Sequence, residues 1–296
     1  MEHKYSEQVD LLVKVLPYVA REKCFALKGG TAINLFYSDM PRLSVDIDLT
    51  YIDFDNRETA YTNINAALGR IVKSLNSAQI NAQLRGNNEK KILCSNADVN
   101  IKIEPNYTLR GILNPASEIT ICNKAKEKYG FVKIQVISKS ELYGGKICAA
   151  LDRQHPRDLF DVKHLLEQGG GISKDILRGF IVLLLSGNRP LHEIILPNIL
   201  DNSKTLQTEF QGMTDIEFTY DDHLQTLDQL ICIVKNESKN SYKDFLLDFI
   251  ALKADLTAHG LDKFPAIQWK LNNIRKLKEV NPQKFEEQYA KLLEVW

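Results

Sequence analysis

The spacing of apolar positions changes once along the chain, and that change divides it in two. Residues 6–21 place Val9, Leu12, Val13 and Leu16 on one helical face ahead of Pro17, which predicts an amphipathic helix. Cys24 to Leu27 is a short apolar run leading into Lys28-Gly29-Gly30, and 43–52 alternates apolar with polar positions; both predict strands. Helical spacing returns over 58–76 through Ile64, Leu68, Ile71, Val72 and Leu75. Further strands are expected at Ile80 to Leu84, Lys91 to Cys94, Val99 to Glu104, Ile119 to Cys122 and Val132 to Ile137. From Ser140 onward almost every segment reads as helix: 140–151, 157–168, 173–186, 190–200, 205–213, 222–236, 241–256 and 270–294. Gly169-Gly170-Gly171 and Pro197 punctuate that half as loops. The expectation is an α+β chain, with an α/β domain over 1–138 and a helical domain over 139–296.

Composition narrows the class. At 44% hydrophobic and 26% charged residues, the chain has the balance of a soluble globular protein. The longest clear apolar stretch, Phe180 to Leu185, falls far short of the roughly 20 residues that cross a bilayer. The opening MEHKYSEQVD lacks the apolar core of a secretory signal, so a cytoplasmic location is expected and no membrane partner. Cys24, Cys94, Cys122, Cys148 and Cys232 are odd in number, dispersed and never spaced C-x-x-C, which argues for free, buried thiols. Basic and acidic side chains balance at 38 each, so coating of duplex DNA is not the main task. Two local concentrations of cations stand out, Lys124, Lys126, Lys128 and Lys133, and Lys270, Arg275, Lys276 and Lys278; solvated surface is the simpler reading of each.

The candidate chemistry begins at residues 28–50. Asp46 and Asp48 lie within Ser44-Val45-Asp46-Ile47-Asp48-Leu49, and on a strand the two carboxylates share a face. Two like charges side by side cost stability unless a cation sits between them. Magnesium is the usual partner, since it takes hard oxygen ligands and keeps other positions for water and phosphate oxygens. Upstream, Gly29-Gly30-Thr31 predicts a turn that lets backbone approach a phosphate, followed by a helix over Ala32 to Tyr37. A phosphate grip beside metal carboxylates is the machinery of phosphoryl or nucleotidyl transfer. Glu104, which shares a strand face with Asn100 and Lys102, is the candidate third carboxylate of a two-metal cluster.

A second informative stretch runs from Lys139 to Leu166. Lys146 and Arg153 are seven apart and so share a helix face, and Asp158 and Asp161 follow on the next helix beyond His155-Pro156. The four residues fit a triphosphate site, with the acids orienting the cations or an attacking hydroxyl. Taken without residues 28–50, they fit better an ion-pair network that ties two helices together. Gly145-Lys146 is not a Walker A loop, because Ile147 stands where that motif needs Ser or Thr. The six histidines show no H-x-x-x-H or H-E-x-x-H spacing, and no G-x-S-x-G elbow occurs, so zinc and serine hydrolases are unsupported.

Taken together, Gly-Gly-Thr, Arg42-x-Ser44-x-Asp46-x-Asp48-Leu49, Ile101-Lys102-Ile103-Glu104 and Lys146-x6-Arg153-x3-Arg157-Asp158-x2-Asp161 resemble the AbiEii/AbiGii-type nucleotidyltransferase toxins, relatives of the MenT toxins. The likeness covers roughly residues 20–170 in order. It implies a DNA-polymerase-β-like nucleotidyltransferase fold with a mixed sheet, followed by a helical C-terminal domain that completes the nucleotide site and contacts acceptor. It implies transfer of NMP from an NTP with Mg2+, an acceptor at the 3′ end of tRNA, a cognate antitoxin of winged-helix type, and abortive infection as a phage defence. By position, Gly29, Gly30, Thr31 and Ser44 serve nucleotide binding, with Thr31 in place of the family's Ser. Asp46, Asp48 and Glu104 fall on the metal positions. Lys146 and Asp158 join Asp46 and Asp48 as catalytic residues, and Arg153 assists Lys146 with the nucleotide. Two other readings compete: a nucleotidyltransferase that modifies a protein or a small molecule, and a catalytically silent nucleotide-binding module on the same fold.

Overall fold

The computed structural model describes residues 3–96 and 98–296; Met1 and Glu2, which open the charged N-terminal segment, and Ala97 lie outside it. The chain forms two compact units, Met1–Leu142 with Phe210–Glu217, and Tyr143–Glu209 with Phe218–Trp296.

The first unit is built on a seven-stranded mixed sheet. Its strands are β1 (Phe25–Lys28), β2 (Asp46–Tyr51), β3 (Asn81–Arg85), β4 (Lys91–Ser95), β5 (Asn100–Arg110), β6 (Ser117–Thr120) and β7 (Lys133–Val136), in the spatial order β3-β4-β5-β2-β1-β7-β6. β2 lies between β1, antiparallel to it, and β5, parallel to it. The strand that carries the two aspartates is therefore central, and its alternate residues Ile47 and Leu49 are fully buried. Helix α1 (His3–Val19) buries Val9, Leu12, Val13 and Leu16 and carries Pro17 inside its last turn rather than ending before it. Helix α3 (Arg57–Ser77) starts where the Asn56 side chain accepts the Thr59 N–H at 3.0 Å, and buries Ile64, Leu68, Ile71 and Leu75. Among the bonds that join residues 210–217 to this unit are Leu43 N–H to Met213 O (2.7 Å) and Thr214 Oγ1 to Pro41 O (2.8 Å).

Two local expectations fail in this unit, and one helix was not expected. Gly29-Gly30-Thr31 is no turn: helix α2 (Gly29–Ala32) begins directly on Gly29, and Ile33–Tyr37 continues as a π-helical turn. The strand expected at Ile119 to Cys122 is shifted to Ser117–Thr120. An unexpected helix, α4 (Asn123–Tyr129), follows it; a single buried residue, Ala125, gives that helix no apolar period to read.

The second unit is helical. α5 (Lys139–Arg153), which opens in the first unit, is followed by α6 (Pro156–Glu167), α7 (Lys174–Ser186), α8 (Leu191–Ile195), α9 (Ser203–Thr205) with a π-helical turn at Leu206–Phe210, α10 (Tyr220–Ile250), α11 (Pro265–Val280) and α12 (Pro282–Glu294). The helices expected at 222–236 and 241–256 are one 31-residue helix, started by a reciprocal Thr219–Asp222 capping box. The single helix expected over 270–294 is two, because Pro282 lacks the N–H that would continue the ladder and instead opens α12. The helix expected at 190–200 stops at Ile195. Beyond it the Gln154 side chain holds the chain, donating to Asn198 O (2.7 Å) and accepting from Leu200 N–H (2.8 Å). Among the described residues no helix is long and apolar enough to cross a membrane. The thiols are free, but only Cys94 is fully buried and Cys232 is exposed.

Candidate active site

The short β1 ends at Lys28 and the chain turns straight into α2 at Gly29, whose φ of +72° suits a residue without Cβ. A Cβ built there would lie 2.3 Å from Asp48 Oδ2, so the aspartate carboxylate rests directly on the Gly29 backbone. At Gly30 a Cβ would meet Arg42 Nη2 at 2.7 Å and Ser44 Oγ at 2.9 Å. Gly29 is thus required by its φ and by the close approach of β2, and Gly30 leaves room for the Arg42 and Ser44 side chains. Thr31, fully buried, donates from Oγ1 to Asp46 O at 2.5 Å and lies 3.1 Å from Ser44 Oγ. Arg42, 2% exposed, bonds Leu43 O through Nη1 at 2.9 Å. The structure therefore brings together Gly29, Gly30, Thr31, Ser44, Asp46 and Asp48. It adds Arg42, which the sequence offered only as part of a motif.

Register explains the charges on this face. Asp48 stands opposite Lys28 on β1 and opposite Glu104 on β5, and Asp46 stands opposite Lys102. Glu104 is placed in line with Asp48, yet its carboxylate is bonded at 3.0 Å by Lys91 of β4, at the surface. One row across four strands consequently reads Lys91, Glu104, Asp48, Lys28. Burial pushes the Lys28 ammonium below its ordinary pKa, against the pull of Asp48.

The donor set suits a hard divalent cation. Asp46 and Asp48 supply carboxylate oxygens from one strand face, Asp48 lies in a cradle that a Cβ would fill, and magnesium typically needs only one or two carboxylates besides water and phosphate oxygens. Among the described residues no three His, Cys, Asp or Glu side chains cluster as a metal-holding group, consistent with Glu104 being engaged by Lys91.

The other residues singled out from the sequence gather in the helical unit. Lys146, 7% exposed, bonds Asp158 Oδ1 at 2.6 Å and Asp161 Oδ2 at 3.0 Å, and Arg153 Nε bonds Asp158 Oδ2 at 2.6 Å. Both aspartates are 1% exposed. Burial alone would raise the Asp158 pKa, but the Lys146 and Arg153 cations outweigh it and hold the carboxyl well below the usual range. His155 precedes Pro156 and accepts the Arg157 N–H on Nδ1 at 3.2 Å, fixing the start of the helix that presents both acids. Lys146 and Asp158 are thus a buried, charged pair with Arg153 reaching out to solvent. Lys270, counted from sequence with a surface patch, is buried instead and donates to Leu184 O (3.1 Å) and Arg189 O (2.8 Å). No sequence signal marked it, since a lysine on a helix usually faces water.

A central strand bearing two aspartates beside a glycine-started helix suits the handling of phosphate groups. The fold is that of a nucleotidyltransferase. The chain is similar to MenT4, a nucleotidyltransferase toxin from Mycobacterium tuberculosis H37Rv, with a TM-score of 0.58, 14% sequence identity, and coverage of 97% of this chain and 93% of that one. The family model described as nucleotidyl transferase AbiEii toxin, type IV TA system, matches residues 10–273, and the chain belongs to that family. No curated protein matches the chain in sequence. It is accordingly a nucleotidyltransferase toxin of a type IV toxin–antitoxin system, with an NTP as substrate and an antitoxin as its counterpart.

Proposed function

We propose that the protein is a Mg2+-dependent enzyme that moves NMP from an NTP to the 3′ end of tRNA in the cytoplasm, and that its antitoxin is of winged-helix type within a phage-abortive-infection system. The observation that carries the catalytic part is the Asp46–Asp48 pair on one face of β2, with Asp48 seated on Gly29. Asp46 and Asp48 hold the metal, with Glu104 in register beside Asp48 as the third candidate. When bound, the metal supplies charge neutralisation at the triphosphate and lowers the cost of ionising the attacking hydroxyl.

The remaining work falls to the chain's own groups. The acceptor 3′-hydroxyl oxygen forms a bond to the α-phosphorus, the bond from that phosphorus to the β-phosphate oxygen breaks, pyrophosphate leaves, and the hydroxyl proton departs to solvent or a carboxylate. Gly29, Gly30 and Thr31 place helix-start amides where negative charge is favoured, and Ser44 fixes Thr31. We assign nucleotide binding in the helical unit to Lys146 and Arg153, and to Asp158 the task of orienting both cations. Positioning and charge neutralisation account for most of the rate in such transfers.

The test is a panel of α-labelled NTPs with purified chain, Mg2+ and either total tRNA or a tRNA-free protein lysate. Label in tRNA, lost on chelation of the metal, is the expected result. Label confined to protein or to small molecules would transfer the acceptor assignment to those classes.

A further inference from the structure

Three lysines face the carboxylates of β2 and β5: Lys102 opposite Asp46, Lys91 on Glu104, and Lys28 opposite Asp48. Lys91 and Lys102 are exposed, where solvent and salt weaken a charge. Lys28 alone of the three is partly buried, and it stands directly opposite Asp48 in the register of β1 and β2. Directly opposed cross-strand residues lie with Cβ atoms roughly 4.5–5.5 Å apart, close enough to couple strongly. A cation at this position also offsets the like charge of Glu104, which stands opposite Asp48 on β5, since like charges placed opposite each other destabilise a pair of strands. The residue after Lys28 is the glycine on which the Asp48 carboxylate rests, so lysine and carboxylate are tied to one backbone corner.

We propose that Lys28 is a positioning residue that acts as a built-in counter-ion to Asp48, holding the carboxylate in place without metal and competing with a divalent cation for it. The inference rests on the reading of Asp48 as a metal ligand. Its consequence is order of binding. With Lys28 present, the two aspartates alone hold a divalent cation weakly, and the cation is retained when the triphosphate adds its own oxygens and negative charge. Without the lysine charge the site holds a cation on its own.

The experiment measures Mn2+ affinity by electron paramagnetic resonance on the full chain without nucleotide, together with thermal unfolding with and without Mn2+. Wild type is compared with Lys28→Met, Lys28→Gln, Lys28→Arg and Asp48→Asn. Lys28→Met is expected to bind Mn2+ on the order of tenfold more tightly than wild type, as removal of one nearby charge implies. Saturating Mn2+ should raise its melting temperature by more than it raises that of wild type. Lys28→Arg, which keeps the charge, should stay within about twofold of wild type. Lys28→Gln answers the same question should the methionine variant fail to fold. Equal or weaker Mn2+ affinity in the neutral variants than in wild type overturns the counter-ion role alone, provided Asp48→Asn weakens binding. Equal binding by wild type and Asp48→Asn overturns the reading of Asp48 as a ligand, and the counter-ion role with it.

Discussion

Gly29 is the residue on which the account turns, since its missing side chain is what lets Asp48 lie against the start of α2. Gly29→Ala combines a φ of +72° with a Cβ 2.3 Å from Asp48 Oδ2, so the carboxylate must move. NMP transfer by this variant is expected to fall about a hundredfold, the scale of a 1 Å misplacement at a reacting centre, with far-UV circular dichroism unchanged. Lys146 offers a contrasting case in the helical unit. Lys146→Ala leaves Asp158 and Asp161 buried without their shared cation, and urea unfolding should report a loss of about 3–5 kcal/mol. Asp158 also sets an acid response. Its folded pKa is depressed below the unfolded value, so its stabilisation is complete above about pH 4 and is lost as pH falls below that toward the folded value. Asp158→Asn should flatten the stability curve in that acid range.

Elements test packing rather than chemistry. Helices α5 and α7 cross at Gly144, where a Cβ would lie 2.4 Å from both the Gly179 carbonyl carbon and the Phe180 nitrogen. Backbone cannot rotate away as a side chain can, so Gly144→Ala should cost about 2–3 kcal/mol in chemical denaturation. Within α10, His223 is fully buried among Phe218 and Tyr220, and neither ring nitrogen has a hydrogen-bond partner. Burial, helped by the nearby His155, pushes its pKa down to about 4. The unfolded chain takes up this proton near pH 6.5 and the folded chain does not, so stability falls as pH drops from about 6.5 to about 4. His223→Phe should remove that slope, which is worth about 3 kcal/mol across the window. The elements also show where periodicity fails as a guide. Pro282 split one expected helix because local backbone chemistry overrides apolar spacing, whereas the polar stretch around residues 236–241 failed to interrupt α10. Ser238 there is buried, so tertiary packing keeps the helix going where the pattern faded.

At the scale of the whole molecule, the division into a sheet-bearing part and a helical part was legible because the apolar period switches from two to that of a helix near Ser140. The Asp46–Asp48 face was legible for the same reason, as strand alternation fixes it without any tertiary knowledge. What could not be read is everything that depends on strand order. The placement of Lys28 and Glu104 on either side of Asp48, and the engagement of Glu104 by Lys91, arise from pairings between segments far apart in sequence. The return of Phe210–Glu217 to the first unit is equally invisible, since a short irregular segment carries no period. The central claim is that the Asp46–Asp48 pair drives NMP transfer. The most direct measurement is incorporation of α-labelled NTP into tRNA by purified wild-type chain and by Asp48→Ala, side by side with Mg2+. Strong labelling by wild type and a loss of at least about a hundredfold in the variant are expected; labelling undiminished by Asp48→Ala would contradict the role of the pair.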